Sequence, residues 1–120
     1  MHNEKGVELS MKKYDRLICK MDMDSIALLY TEDGNLGNIA VGRDSIKHLL
    51  AKYKDFKVLS QASKTSFLKV SGDSAQQKGT YRQTVILPAK DTITVKGTYT
   101  ASWQWIKGAG WHIRKMETAQ

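Results

Sequence analysis

Chemistry in this 120-residue chain is carried by tyrosines, amides and tryptophans more than by charged groups. Tyr14, Tyr30, Tyr81, Gln83, Tyr99, Trp103 and Trp111 join apolar bodies to a few polar tips. That mixture lines small-molecule sites and also builds ordinary cores, and the sequence leaves both roles open. Glu32 and Asp33 are adjacent carboxylates of the kind used in acid/base work, but they precede Gly34 in a stretch that reads as a turn, which assigns them to turn duty. His2, His48 and His112 are far apart, with no cysteine or carboxylate at metal-ligand spacing, so no metal is expected. Cys19 has no evident histidine partner and reads as a structural thiol. There is no Gly-rich phosphate loop before a helix and no Gly-x-Ser-x-Gly elbow, and no cofactor is expected.

The elements that must position these residues follow from periodicity. Val7, Met11, Tyr14, Ile18 and Met21 recur in steps of four and three, which predicts a first helix. Asp22 or Asp24 can cap a second, short helix over 25–30, followed by a turn at Thr31-Glu32-Asp33-Gly34 and a short extended segment over 35–40. A third helix begins near Arg43 or Asp44, with Ile46, Leu49, Leu50 and Tyr53 on one face. From Lys57 the character changes to strands over 57–70 and 75–87, separated by Ser71-Gly72-Asp73 and closed by Pro88.

All three tryptophans lie in 96–117, which reads as a β-hairpin turning at Gly108-Ala109-Gly110. Gly97, Tyr99, Ala101, Trp103 and Trp105 alternate with Thr98, Thr100, Ser102 and Gln104, giving one apolar and one wet face. Trp111 and Ile113 oppose His112 and Arg114 in the same way. Lys78-Gly79-Thr80-Tyr81 is echoed by Lys96-Gly97-Thr98-Tyr99. A turn centred on Ala89 sets Gly79 opposite Tyr99 and Tyr81 opposite Gly97, laying each ring over a glycine and allowing a sharp bend. Such a sheet, concave and aromatic, is filled by the first helix and leaves a cavity where that helix does not reach.

Length and composition bound the rest. The chain reads as a single domain over 1–120, of α+β class, large enough to bury roughly 65–70% of its unfolded surface. A lone cysteine allows no intramolecular disulfide, no apolar run approaches the roughly 18 residues of a membrane span, and no secretory apolar core is evident. The expectation is a cytoplasmic protein without a membrane partner, or a periplasmic or secreted one if a signal peptide has been removed. Charge is asymmetric: residues 1–56 hold nine basic and nine acidic side chains, whereas 57–116 hold ten basic and only Asp73 and Asp91. Lys78, Arg82, Lys96 and Arg114 share the wet face, where they either solubilise the protein or attract an anionic partner. Scattered lysines without interleaved aromatics argue against nucleic acid.

The order of elements, with "LLYTEDG", "GRDSIKHLL", "KGTY", "GTYTASWQW" and "GWHIRK", resembles the nuclear transport factor 2-like superfamily, including its ketosteroid isomerase, SnoaL-like and kinase association-domain-like branches. The resemblance spans about 7–116. It implies a cone: a curved antiparallel sheet of about four long strands plus a short one, wrapped around a long N-terminal helix with two shorter helices. It also implies an apolar pocket at the open end and homodimers through the sheet face, here Thr98, Thr100, Ser102 and Gln104. Laid on the ketosteroid isomerase pattern, Tyr14 takes the oxyanion tyrosine's place. The base falls on Asn38 or Gly37, and the second oxyanion carboxyl near Ser102 or Ala101, none of which can serve. The reading is therefore a small-molecule-binding domain for an apolar or aromatic ligand, its pocket drawn from Tyr14, Tyr30, Asn38, Gln83, Tyr99 and Trp103. The alternatives are a SnoaL-like lyase or isomerase acting through Tyr14 on a polyketide- or steroid-like substrate, and a non-catalytic dimerisation module.

Overall fold

The structure, a computed structural model, describes residues 2–120. Its elements are α1 (Glu4–Lys20), α2 (Met23–Leu28), β1 (Tyr30–Leu36), β2 (Ala40–Val41), α3 (Arg43–Ala51), β3 (Lys57–Ser71), β4 (Ser74–Ile86), β5 (Thr92–Ile106) and β6 (Gly110–Ala119). Helix α1 starts where the Asn3 side chain accepts the Gly6 N–H, and stops where Met21 turns left-handed, its N–H returning to Ile18 O. Asp22 caps α2, accepting the Ser25 N–H at 3.2 Å and the Ser25 hydroxyl at 2.8 Å.

The chain departs from the sequence expectation after α2. Tyr30 does not end that helix; it opens β1, which runs through the expected turn to Leu36. Tertiary partners hold it extended: the Tyr30 carbonyl accepts two bonds from the Arg43 guanidinium, and Tyr30 pairs with Ile113. The reversal comes later, at Gly37 and Asn38, both with positive φ, where Asn35 Oδ1 accepts the Asn38 N–H. Ile46 and Leu50 bury the inner face of α3, whereas Tyr53 lies past the helix end and packs edge-on against Phe56.

The six strands form one sheet in the order β2-β1-β6-β5-β4-β3. Strands β3 to β6 are an antiparallel meander, while β1 pairs with β6 in parallel, an arrangement that the long connection through α3 and the meander permits and a tight turn could not. The β4–β5 register is the one the internal echo predicts: Gly79 faces Tyr99, and Tyr81 faces Gly97. A Cβ on Gly79 would lie 2.7 Å from the Tyr99 ring and collide with the Lys64 carbonyl oxygen; one on Gly97 would lie 2.9 Å from the Tyr81 ring. The rings occupy the space that side chains would fill.

Helix α1 lies in the concave side and contributes Val7, Met11 and Tyr14 to the core, against Ala101, Trp103, Ile113 and Met116 from the sheet. At Arg114 the β5–β6 register slips by one residue, so Ile113 and Met116 both face inward while Arg114 stays exposed. Trp103 is fully buried, its indole N–H donating to Gln77 Oε1 at 3.0 Å while Gln77 donates to Thr65 Oγ1 at 2.9 Å. A buried amide thus satisfies the tryptophan and is itself satisfied.

Candidate functional site

Where α1 does not cover the sheet, a cavity of about 420 Å³ remains. Helix α1 supplies Met11, Tyr14 and Ile18; β3 and β4 supply Gln61, Tyr81, Gln83 and Val85; β5 supplies Ile93, Val95 and Tyr99. Tyr53 and Phe56 after α3, with Leu36, Leu87, Met116, Thr118 and Gln120, complete the wall. Among the described residues no charged side chain lines it. Hydrogen bonding inside it falls to phenols and amides.

Tyr14 is the polar group of α1 at this surface. Its hydroxyl pairs with the Tyr30 hydroxyl at 2.9 Å, and the rings meet edge-on at 6.1 Å. Burial pushes the Tyr14 phenol up to about 12, with the Tyr30 hydrogen bond acting in the opposite direction. Tyr30 is raised well above the ordinary phenol range, first by burial and then by Tyr14. Both are neutral at physiological pH; Tyr14, the one of the two that reaches the wall, can donate to a ligand oxygen but not take up its proton.

A second polar group runs from the wall into the α1–β3 seam. Gln83 donates to Gln61 Oε1 at 2.9 Å, and Gln61 Nε2 reaches Asp15 Oδ1 at 3.5 Å. The other Asp15 oxygen accepts the Ser63 hydroxyl at 2.7 Å and the Ser63 N–H at 3.2 Å. Asp15 is buried, and burial raises its carboxyl above the usual range against the opposing pull of the Ser63 and Gln61 hydrogen bonds. It stands behind Gln61 and Ser63, outside the cavity wall, and so anchors α1 to β3. The Tyr99 ring forms part of the cavity floor; its buried hydroxyl lies toward Thr65 and Ser63 without a well-formed hydrogen bond, and burial raises its phenol against the weaker opposing pull of those two hydroxyls.

Of the residues expected in the pocket, Tyr14, Gln83 and Tyr99 meet in this wall, joined by Tyr81. Tyr30 is one layer behind Tyr14. Trp103 belongs to the packed core, because Gln77 and α1 close over it. Asn38 is exposed at the β1–β2 reversal, where local backbone geometry and Asn35 hold it away from the cavity. Trp111 is buried and packs edge-on against Trp105 at 5.5 Å. Ser102 faces outward and donates to Gln76, and Ala101 is buried in the core. Glu32 and Asp33 stay exposed on β1, where Asp33 accepts the Thr31 hydroxyl.

Sequence reasoning missed Gln61 and Asp15. Gln61 shares the inner face of β3 with Ser63 and Thr65, so polar residues occupy both faces and alternation has no contrast. Asp15 did leave a signal, being four residues after Met11 and three before Ile18, on the edge of the apolar stripe. Among the described residues no group of three His, Cys, Asp or Glu side chains could hold a metal, and no helix is long and apolar enough to cross a membrane.

By sequence, no protein-family model and no curated protein matches the chain. By structure it is similar to many solved proteins. A ketosteroid isomerase-like protein from Erwinia carotovora atroseptica superimposes with a TM-score of 0.82 at 18% identity, covering 97% of this chain and 95% of that one. A nuclear transport factor 2-like protein from Novosphingobium aromaticivorans gives 0.77 at 18% identity, covering 96% and 79%. A protein from Catenulispora acidiphila, solved in complex with S-DNPA, gives 0.75 at 10% identity, covering 95% and 90%. The chain therefore has the cone-shaped nuclear transport factor 2-like fold.

Proposed function

From this fold and its cavity, we propose that the protein binds an uncharged, largely apolar or aromatic small molecule between α1 and the concave sheet. The observation that carries the reading is the wall itself: about 420 Å³ bounded by aliphatic side chains, Phe56, tyrosines, Thr118 and three glutamines, with no charged side chain among the described residues. That volume falls within the range of small-molecule sites, and a charged ligand would leave water with nothing to neutralise it. Gln83 and Tyr14 are the polar groups that orient a ligand carbonyl or hydroxyl. That a Catenulispora protein of the same fold was solved in complex with S-DNPA supports a small-molecule role.

The tryptophans do not line this wall, so the assay uses an uncharged solvatochromic dye such as Nile red. Val95→Trp fills the cavity from β5 and is expected to abolish saturable dye binding while thermal unfolding stays cooperative. Unchanged dye affinity in that variant would refute the assignment.

The Tyr14–Tyr30 pair favours a second reading, a lyase or isomerase in which Tyr14 donates to a substrate oxygen. Proton removal then falls to a water or a substrate group, since among the described residues no Asp, Glu or His side chain lines the wall. Loss of turnover in Tyr14→Phe with dye binding retained supports it, and unchanged turnover eliminates Tyr14. A third element of the proposal is a homodimer through Thr98, Thr100, Ser102 and Gln104, which share the outer sheet face.

A further inference from the structure

The outer face of the sheet carries a feature that small-molecule binding does not use. Strands β3, β4 and β5 contain no aspartate or glutamate, yet carry Lys57, Lys64, Lys69, Lys78, Arg82 and Lys96, all exposed. Arg82 stands directly opposite Lys96 across the β4–β5 ladder. Lys64 pairs with Thr80, two residues along the same face from Arg82. Opposed residues have Cβ atoms only about 5 Å apart, and like charges at that spacing destabilise a sheet. Among the described residues no carboxylate forms an ion pair with any of these three cations.

The three long side chains, with Ala62, Thr80 and Gly97, line an open hollow of about 450 Å³. Arg82, on the middle strand, has Ala62 on one side and Lys96 on the other, and Lys64 lies one pair further along the same face. We propose that this hollow is a binding site for a phosphate-type oxyanion, held by Lys64, Arg82 and Lys96 with the Thr80 hydroxyl beneath. The chemistry is direct: a tetrahedral dianion accepts a forked pair of bonds from the Arg82 guanidinium and one from each ammonium. It also removes the Arg82–Lys96 repulsion. The site lies on the face opposite the apolar cavity and stands independently of the ligand proposed there; Thr98 pairs with Thr80, so occupation of the site and a dimer through the Thr98 face exclude one another.

Inorganic phosphate is titrated against the full chain at low ionic strength, with backbone amide shifts and thermal unfolding as readouts, and glycerol phosphate in a parallel arm. Saturable shifts confined to the strands around Thr80 and Gly97 are expected. Stronger binding of glycerol phosphate identifies an organic phosphate as the source of the group, and stronger binding of inorganic phosphate identifies the free ion. Arg82→Gln is expected to weaken phosphate about tenfold or more, as loss of a charge-assisted pair does.

Lys96→Gln separates a binding site from a structural role. It removes the cross-strand repulsion, so it raises the melting temperature of the anion-free protein and reduces the further rise that phosphate causes in the wild type. Lys107→Gln, in the β5–β6 turn, makes the same change in net charge outside the hollow and is expected to leave the phosphate affinity within twofold of wild type. The proposal is overturned if phosphate gives no saturable shift up to tens of millimolar, or if Lys107→Gln weakens it as much as Arg82→Gln does.

Discussion

Gly79→Ala tests the coupling between sheet curvature and the cavity floor. At this position the added methyl meets two obstacles of different kinds. The Tyr99 ring, 2.7 Å away, can tilt, but only into the cavity; the Lys64 carbonyl oxygen belongs to the β3 backbone and cannot move without parting β3 from β4. Overpacking a core costs about 1–3 kcal/mol, and a fixed backbone partner places this change at the upper end. The lower unfolded-state entropy of alanine returns only about 0.4–1 kcal/mol. The net loss is therefore about 2–3 kcal/mol, which for a domain of this size is a fall of roughly 8–12 °C in melting temperature. Thermal and urea unfolding followed by circular dichroism measure it, and Nile red reports the accompanying loss of floor space. A melting temperature within about 2 °C of wild type would show that the ring-over-glycine contact does not set the bend.

Three further outcomes follow from the same geometry. Tyr99→Phe keeps the ring over Gly79 and removes a buried hydroxyl that makes no well-formed hydrogen bond, so urea unfolding should show stability unchanged or raised by up to about 1 kcal/mol; a clear loss would show that Thr65 or Ser63 serves that oxygen. The raised carboxyl of Asp15 means that the folded protein holds this proton more tightly than the unfolded chain. Its contribution to stability is thus fully present below pH 3.8 and is lost as pH rises through the higher folded-state value; Asp15→Asn should remove that acid-range slope, and an unchanged slope would exclude Asp15 as its source. Lysines at Thr98 and Thr100 should convert a sheet-face dimer to monomer, and an unchanged sedimentation mass would place any dimer interface elsewhere.

Local pattern alone determined most of the architecture. The four-three spacing from Val7 to Ile18 could bury one face only as a helix, and the alternation from Gly97 to Trp105 could do so only as a strand. The repeated Lys-Gly-Thr-Tyr, folded about Ala89, set the β4–β5 register, because only glycine leaves room for the opposing ring. Periodicity put Tyr14, Gln83 and Tyr99 on inner faces, but it did not separate cavity from core, since Trp103 shares the inner face of β5 and is fully packed.

Tertiary structure decided the rest. Tyr30 opens a strand because Arg43 and Ile113, both distant in sequence, claim its backbone. Met116 turns inward because the ladder slips at Arg114, an event that strict alternation cannot encode. Gln61 and Asp15 acquire a shared role only where β3 closes on α1, since polar side chains on a mixed strand carry no periodic signal. A basic half of the chain was visible from composition, but the opposition of Arg82 and Lys96 beside Lys64 exists only in the assembled sheet, where register converts scattered charge into a concentrated field.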